Sequence, residues 1–217
     1  MIGSVDREGV IEFTRELVRI ESVNRPREGL GEQAAAEAVV ARMRSFGWDP
    51  VVQEVAPGRP NVICVVEGDR PGPTLMFEGH TDVVTAGDPS AWTHDPFGAE
   101  VLDGRLYGRG SADMKSGLAA IVYATRAVQQ AGPFPGRVLI GALCDEEEMM
   151  IGVKHFVAQG WCEGIDAVIS DQTMPGLTGL ELAARLTGDG AAIPVILCSG
   201  HSDYVDPERL AAAGVEH

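Results

Sequence analysis

The chain has 217 residues, enough for a sizeable hydrophobic core in one domain or in one and a half. Its hydrophobic fraction of 45% argues against disorder, and its formal net charge of −15 disfavours nucleic acids and anionic membranes as partners, because a polyanion would be repelled. The sequence has neither a basic-then-apolar leader nor an apolar run of about 18 residues, so it predicts a cytoplasmic protein rather than a secreted or membrane-spanning one.

The first hundred residues alternate between helix-like and strand-like patterns. Apolar residues at helical spacing predict a helix within residues 6–21, and an alanine-rich stretch before Gly47 predicts a second helix over residues 31–46. Residues 51–55 and 61–66 have the pattern of strands. This order, followed by further strand and helix patterns, favours an α/β fold in which helices cover a sheet.

A histidine and an aspartate follow the next predicted strand, residues 73–78. Because alternate residues of an extended segment point the same way, His80 and Asp82 are expected to converge on one point. A neutral imidazole beside a carboxylate is a well-oriented metal ligand. By itself a His-x-Asp pair is a weak signal, and an ordinary loop salt bridge or turn is the alternative.

Two more acidic groups follow similar patterns. Asp113 lies in a glycine-rich turn, residues 108–117, that leads into a predicted helix over residues 118–128. A run of four acidic residues, 145–148, follows a predicted buried strand, residues 137–144. The sequence thus has three clusters of acidic or imidazole side chains at strand ends or helix starts. A carboxylate-rich site for a divalent metal is assembled from clusters of this kind.

The segment between the first two clusters has too many helix and strand breakers for regular structure over residues 85–97, so we expect a loop at the mouth of the site. His94 in this loop is either a third imidazole ligand or, more ordinarily, a residue that packs beside Trp92. Residues 98–108 predict a hairpin that turns at Asp103-Gly104. Nucleotide binding at Gly108-x-Gly110 is rejected, because the third glycine is missing.

The four cysteines contain no Cys-x-x-Cys pair, and three of them lie in or beside apolar, strand-like runs; they are Cys64, Cys144, Cys162 and Cys198. This arrangement predicts buried, reduced thiols in a cytoplasmic protein.

With these motifs in place, residues 5–170 resemble the zinc-dependent M20-type metallopeptidase and aminoacylase family that includes acetylornithine deacetylase and succinyl-diaminopimelate desuccinylase. The matching motifs occur in the family's order and spacing; they are Gly79-His-Thr-Asp82, Gly108-Arg-Gly-Ser-Ala-Asp-Met-Lys115, and Asp145-Glu-Glu147 followed by Gly152. The resemblance implies helices packed on a mixed, mostly parallel sheet, as in a truncated phosphorylase/hydrolase-like catalytic domain.

The same resemblance implies a role for each matching residue. His80 would bind one metal ion, Asp113 would bridge two, and Glu147 would bind the other. Asp82 would orient His80, and Glu146 would be the general base. The implied cofactor is Zn²⁺, as two ions in the intact family, with Co²⁺ or Mn²⁺ as alternatives. The implied substrate is an N-acyl amino acid or a short peptide.

Beyond about residue 166 the chain resembles the middle of a response-regulator receiver domain. Asp171 matches the phosphoacceptor, Met174-Pro175 and Gly179 match the turn after it, and Ser199 matches a hydroxyl-bearing residue at a strand end. The receiver's early acidic pair and its later lysine have no counterpart. We therefore predict a partial metallopeptidase domain over residues 1–170 and a partial receiver-like segment over residues 171–217.

This tail is expected to extend the sheet as a flavodoxin-like fragment rather than fold by itself, because about 50 residues with one new strand bury little core. Its predicted elements are helices over residues 177–186 and 207–213 and a strand over residues 193–198. Asp171 has three interpretations, which stay open: a further metal ligand, a phosphoacceptor, or a solvated turn residue. Nothing near His201 or His217 favours either of them as a ligand.

The sequence thus predicts a metal-dependent hydrolase of the amide bond in N-acyl amino acids or short peptides. Its activity is expected to be weak, because receiver-like sequence stands where the parts that the family places after Ser170 would follow. The alternatives are a phosphorelay receiver module that uses Asp171, and a non-catalytic metal-binding remnant.

Overall fold

A computed structural model of the chain describes residues 4–25, 28–171 and 195–198, with side chains described up to residue 167. The helices of these ranges are α1 (Arg7–Val18), α2 (Gln33–Ser45), α3 (Lys115–Gln130) and α4 (Ile151–Ala158). The strands are β1 (Val51–Ala56), β2 (Arg59–Glu67), β3 (Arg70–His80), β4 (Glu100–Leu102), β5 (Arg105–Tyr107), β6 (Pro135–Leu143), β7 (Ala167–Asp171) and β8 (Val195–Cys198).

Six of the described strands form one mixed sheet in the order β1-β2-β6-β3-β7-β8. The pairs β1 with β2 and β2 with β6 are antiparallel, whereas β6, β3, β7 and β8 run parallel to one another. The predicted α/β class with a mixed, mostly parallel sheet is therefore confirmed.

Helices cover both faces of this sheet, and the alternation of side chains along the strands explains why. In β2, Val62, Cys64 and Val66 face the large core that contains residues of α1, α2 and α3, whereas Ile63 faces the smaller core beside α4. Adjacent strand residues point to opposite faces, so a strand that is apolar at successive positions must be covered on both sides.

The parallel pairing of β3 and β6 brings two of the predicted acidic clusters together. His80, the last residue of β3, lies opposite Leu143, the last residue of β6. The segments that follow these two strands therefore leave the sheet side by side. The carboxyl end of β7, at Asp171, lies at the same edge because β7 is parallel to β3.

The predicted elements of the first 170 residues are confirmed, with shifts at their ends. The helix expected from residue 118 begins at Lys115, so the glycine-rich turn is shorter than predicted. The predicted hairpin is β4–β5, and both Asp103 and Gly104 in its turn have positive φ. The loop over residues 85–97 includes one turn of 3-10 helix, Pro89–Ala91, which begins with a proline and is capped by Asp88.

The strand predicted over residues 193–198 corresponds to β8, which pairs with β7 in register from Val168↔Val195 to Asp171↔Cys198. It extends the sheet, as expected of the tail. The two helices predicted for the tail, the side chain of Asp171, and Ser199, His201 and His217 lie outside the described residues.

Cys64 and Cys144 are buried and free, as predicted, whereas the free thiol of Cys162 is exposed. Cys162 lies in the turn after α4 and not in a strand, so the prediction of burial was wrong for this residue. No helix among the described residues has the length and apolar character needed to cross a bilayer.

Candidate metal centre

His80 is the buried residue at the centre of the site. Its Nδ1 lies 3.0 Å from the main-chain carbonyl oxygen of Asp82. A carbonyl oxygen only accepts hydrogen bonds, so Nδ1 must carry the proton in this contact, and Nε2 is the nitrogen that can bind a metal ion once it has lost its own proton. Nε2 faces Asp113 Oδ1 at 3.2 Å and Glu146 Oε2 at 3.7 Å.

Three side chains converge so that each offers one ligand atom within 4.8 Å of the other two: His80, Asp113 and Glu147. Asp113 precedes α3, in the turn after residue 108, and its peptide bond to Met114 is cis. Its side chain is 79% exposed, whereas that of His80 is only 4% exposed. The cluster is thus closed on the side of the sheet and open on the side of Asp113.

Asp82 joins the ends of β3 and β6. One of its carboxylate oxygens accepts a hydrogen bond from the backbone N–H of Glu146 at 3.1 Å, and the other accepts one from the N–H of Glu147 at 3.0 Å. The nearest carboxylate oxygen lies 3.5 Å from His80 Nδ1. The structure therefore places the main chain of Asp82 against the imidazole and its carboxylate against the loop that carries the two glutamates.

The electrostatics of the cluster are those of crowded carboxylates around one imidazole. Burial alone would lower the pKa of His80, but without metal the hydrogen bond with Asp113 and the nearby Asp82 carboxylate raise it to about 11, so the ring is protonated until a metal ion displaces the proton from Nε2. The pKa of Asp113 is lowered by its hydrogen bond with His80. Burial and the neighbouring carboxylates raise the pKa values of Glu146 and Glu147. Negative charge is thus concentrated at a point where a cation would relieve the repulsion.

The donor set can be compared with the metal that the family resemblance implies. One imidazole nitrogen and two carboxylates are ligands that Zn²⁺, Co²⁺ and Mn²⁺ accept. The hydrogen bond at Nδ1 orients the ring in the way that outer partners of metal-bound histidines do. The residues present therefore fit a divalent metal ion.

Four residues that support this site were not predicted from the sequence. Glu32 and Arg59 form buried ion pairs with each other and with Asp145, and Asn24 donates to Asp145 and Glu148. Lys115 donates from its buried Nζ to two carbonyls of α1 and the segment after it. Lys115 was part of the matching motif without a role; Asn24, Glu32 and Arg59 carried no local signal, because they are distant in the chain.

His94 is not part of the group of three candidate ligands, and its described contacts are with other residues. Its Nδ1 is 2.8 Å from Glu100 Oε2, and its ring packs against Tyr107 in a tilted arrangement with the centroids 4.1 Å apart. Trp92, the neighbour expected from sequence, is instead covered by the guanidinium of Arg109. The hairpin β4–β5 brings Glu100 and Tyr107 to His94, which the local sequence did not reveal.

The fold and the donors together define an α/β protein with a carboxylate-rich candidate site for a divalent cation at the carboxyl edge of its parallel strands. The chain belongs to peptidase family M20/M25/M40, whose sequence model matches residues 76–209. This match continues beyond residue 170, where the motifs had indicated that the resemblance ends. It gives no support for a response-regulator receiver domain in the tail.

Two curated relatives share this sequence over most of its length. Succinyl-diaminopimelate desuccinylase 2 of Ruegeria sp. (strain TM1040) is 44% identical over 208 residues, which is 92% of this chain and 50% of the relative. Succinyl-diaminopimelate desuccinylase of Rhodospirillum centenum (strain ATCC 51521 / SW) is 34% identical over 203 residues, which is 89% of this chain and 51% of the relative. The chain spans about half the length of these relatives.

Solved structures of the family share the fold. An M20 family metallo-carboxypeptidase from Sulfolobus solfataricus has a TM-score of 0.64 at 21% identity, over 74% of this chain and 36% of that protein. A dinuclear metal binding peptidase of the M20 family from Bacillus subtilis has a TM-score of 0.56 at 17% identity, over 77% of this chain and 43% of that protein.

Proposed function

We propose that this chain binds divalent metal through His80, Asp113 and Glu147 and contributes to the hydrolysis of an amide bond. The convergence of these three side chains at the ends of β3 and β6 and the start of α3 is the observation that carries the proposal. Family membership and the desuccinylase and carboxypeptidase names of its relatives support the same chemistry. We propose Zn²⁺ as the metal, as two ions, with Co²⁺ or Mn²⁺ as alternatives.

Each residue of the site has a part in this proposal. A bound divalent ion would supply Lewis-acid polarisation of the amide carbonyl and an acidified water molecule. Glu146 is the proposed general base: it takes a proton from the attacking water and returns it to the leaving nitrogen. Its carboxylate lies 3.7 Å from His80 Nε2, beside the three ligand atoms and not among them. Its raised pKa favours this exchange of protons.

The proposed substrate is an N-acyl amino acid or a short peptide, and the desuccinylase relatives favour an N-succinyl group. The exposed carboxylate of Asp113 leaves an open side from which such a molecule can approach. Resemblance to the family supports this proposed substrate. Composition supports the proposed cytoplasmic location. A fourth ligand, the carboxylate of Asp171, is part of the proposal, since the end of β7 lies at the same edge of the sheet. The phosphorelay alternative is not favoured.

Zinc titration of the metal-free protein tests the proposal. Bound metal stabilises the folded state by about 2.7 kcal/mol at a zinc concentration 100 times Kd. For a chain of this size we expect a rise in Tm of about 5–10 °C. Asp113→Asn should abolish most of this rise, whereas the control Asp69→Asn, in an exposed ion pair with Arg70, should retain it. Equal rises in both variants, or no zinc bound by elemental analysis of the wild-type protein, would contradict metal binding.

A further inference from the structure

A buried ion network lies behind the metal-binding residues, between the start of α2, the start of β2 and the segment after β6. Arg59 donates from Nε to Glu32 at 2.8 Å, and from Nη2 to Asp145 at 2.6 Å and to the second oxygen of Glu32. The side chains of Glu32 and Asp145 are fully buried. The hydrogen bond with Glu32 raises the pKa of Arg59 above its already high ordinary value, so the guanidinium stays charged.

This network holds the loop between β6 and α4, residues 144–150, which we call the acidic loop. The backbone N–H of Asp145 donates to Glu32 Oε1 at 3.1 Å. The carboxylate of Asp145 in turn accepts from the backbone N–H of Met149 at 3.1 Å and of Ile151, the first residue of α4, at 3.2 Å. Glu32 therefore binds the first part of the acidic loop, and the Asp145 carboxylate binds the last part, where α4 begins.

The same loop carries the proposed base and one proposed metal ligand. The backbone N–H groups of Glu146 and Glu147 donate to the carboxylate of Asp82, and that of Asp145 donates to Glu32. Three successive backbone donors of the loop therefore bind buried carboxylates. Asp145 has a φ of 64°, a left-handed conformation that costs free energy in a residue with a Cβ and needs surrounding contacts to hold it. At this bend the Asp145 side chain enters the network, whereas Glu146 approaches His80.

We propose that Arg59 and Glu32 are positioning residues that act through the acidic loop to hold Glu147 at the metal and Glu146 beside it. The inference rests on the proposed function, since it assigns these two residues to the same site. Arg59 bridges two carboxylates that would otherwise repel each other, and Glu32 binds the N–H of the residue at the bend. Neither side chain is among the three that converge as ligands.

A second arginine in the chain provides a matched comparison. Arg42 on α2 donates to Glu16 on α1 at 2.6 Å and to the hydroxyl of Tyr123 on α3. This pair joins three helices and has no described contact with the acidic loop. Arg42→Lys and Arg59→Lys therefore make the same chemical change, one within the helical layer and one behind the site. Lysine keeps the charge and loses the fork that reaches two partners at once.

The first measurement is hydrogen exchange of the metal-free protein, which is independent of the proposed function. Arg59→Lys should lower the protection of the amides of Asp145, Glu146 and Glu147 and leave the central amides of α3 unchanged. Arg42→Lys should leave the acidic loop unchanged. If Arg59→Lys alters no amide of the acidic loop, or alters all protected amides equally, the loop does not depend on Arg59 and the proposal is wrong.

The second measurement is zinc affinity, by competition with a chelator, in a double-mutant cycle with Glu147→Gln. Outer partners of metal ligands typically contribute about 10–100-fold in affinity, so Arg59→Lys should weaken binding by that order in the wild-type background. It should have little further effect once Glu147 is already replaced, because it acts through that ligand. Equal losses in both backgrounds would show that Arg59 only stabilises the fold and would overturn the inference.

Glu32→Gln is the second variant, for the case that Arg59→Lys does not fold. It keeps an acceptor oxygen for the Asp145 N–H and removes the charge that faces Arg59, so we expect a smaller effect of the same kind in both measurements. Absence of zinc binding by the wild-type protein would contradict the proposed function alone, because the exchange of the acidic loop still decides the role of Arg59 and Glu32. The two hypotheses therefore fail in distinguishable ways.

Discussion

At the scale of single residues, Asp82 is the residue of the candidate centre that contacts both the end of β3 and the loop after β6. Its main-chain carbonyl accepts from His80, and its two carboxylate oxygens accept from the N–H groups of Glu146 and Glu147. Burial by itself would raise the pKa of Asp82, but the adjacent His80 ring, 3.5 Å away, and the hydrogen bonds from the two N–H groups lower it. An ionised Asp82 thus couples the end of β3 to the end of β6.

Substitutions of the two neighbouring glutamates of the acidic loop should have different effects on zinc binding and on hydrolysis. Glu147→Gln removes the charge of a proposed ligand and should weaken zinc binding measured by chelator competition. Glu146→Gln should retain zinc, since this carboxylate is outside the group of three ligands, and should lower the rate of amide hydrolysis by about 10²–10⁴-fold. If Glu146→Gln abolishes zinc binding and Glu147→Gln does not, the two roles are reversed.

At the scale of elements, the turn that carries Asp113 is anchored by the first residue of α3. Lys115 is 1% exposed, and its Nζ donates to the carbonyl oxygens of Leu17 at 2.9 Å and Ile20 at 2.7 Å. Burial lowers the pKa of this amine to about 7, but the neutral amine still has two N–H donors, one for each carbonyl. The start of α3 is thereby tied to the end of α1.

Lys115→Met should therefore destabilise the fold. The change removes the donor of the partly buried Ile20 carbonyl and one of the two donors of the Leu17 carbonyl, which costs about 1–3 kcal/mol in the free energy of unfolding. Urea unfolding measures this loss, and Lys154→Met is the control, because the Nζ of Lys154 donates to the carbonyl of Met149 on an exposed surface. A similar, small change in both variants would mean that the contacts of Lys115 with α1 do not stabilise the fold.

A second close contact between elements joins the start of α4 to the end of β6. A Cβ on Gly152 would lie 2.2 Å from the carbonyl oxygen of Cys144 and 2.7 Å from Asn61 Oδ1. Asn61 is itself fixed there, since it donates to the carbonyl of Gly152 and accepts from the N–H of Cys144. Only a residue without a side chain permits this approach of α4 to the strands.

Gly152→Ala should lower the free energy of unfolding by about 1–3 kcal/mol or more, because the neighbouring backbone must move. Gly141→Ala in β6 is the control, since its Cβ would lie 3.4 Å from the nearest atom, Leu143 Cδ2, at an ordinary contact distance. The measurement is again urea unfolding. Equal stability of Gly152→Ala and wild type would show that α4 can shift away from Cys144 without loss.

At the scale of the whole molecule, the candidate centre is closed by the sheet and open towards solvent. The chain spans about half the length of its curated relatives, and Asp113 exposes 79% of its side chain. Electrostatic stabilisation of a transition state is strongest where water is excluded. An open site of this kind favours slow hydrolysis even with metal bound.

We expect the isolated chain, loaded with zinc, to hydrolyse N-succinyl and N-acetyl amino acids far more slowly than the usual enzymatic rates of about 1–10³ per second. Product formation measured with the wild-type protein, the metal-free protein and Glu146→Gln tests this expectation. Ordinary rates that require both zinc and Glu146 would contradict it. Such rates would mean that the residues after Ser170 complete the site.

Much of the architecture was predictable because its signals are local. Residues 61–66 had the pattern of a strand and residues 137–144 that of a buried strand, and both form interior strands of the sheet. The three acidic or imidazole clusters were predicted to converge because they follow strands or precede a helix, and His80, Asp113 and Glu147 do converge. These predictions need only the alternation of side chains along a strand, the length of the apolar runs, and the location of functional groups at the carboxyl ends of parallel strands.

The sequence by itself thus determined the fold class, most elements and the residue types of the centre, since these follow from hydrophobic period and strand ends. Only the tertiary structure decided which member of the acidic run turns inward to Arg59 and which one approaches His80. Glu32 is 27 residues from Arg59 in the chain, and Arg59 is 86 residues from Asp145. A buried charge must find its partner in space, and pairs so distant in sequence meet only when the sheet and helices have packed.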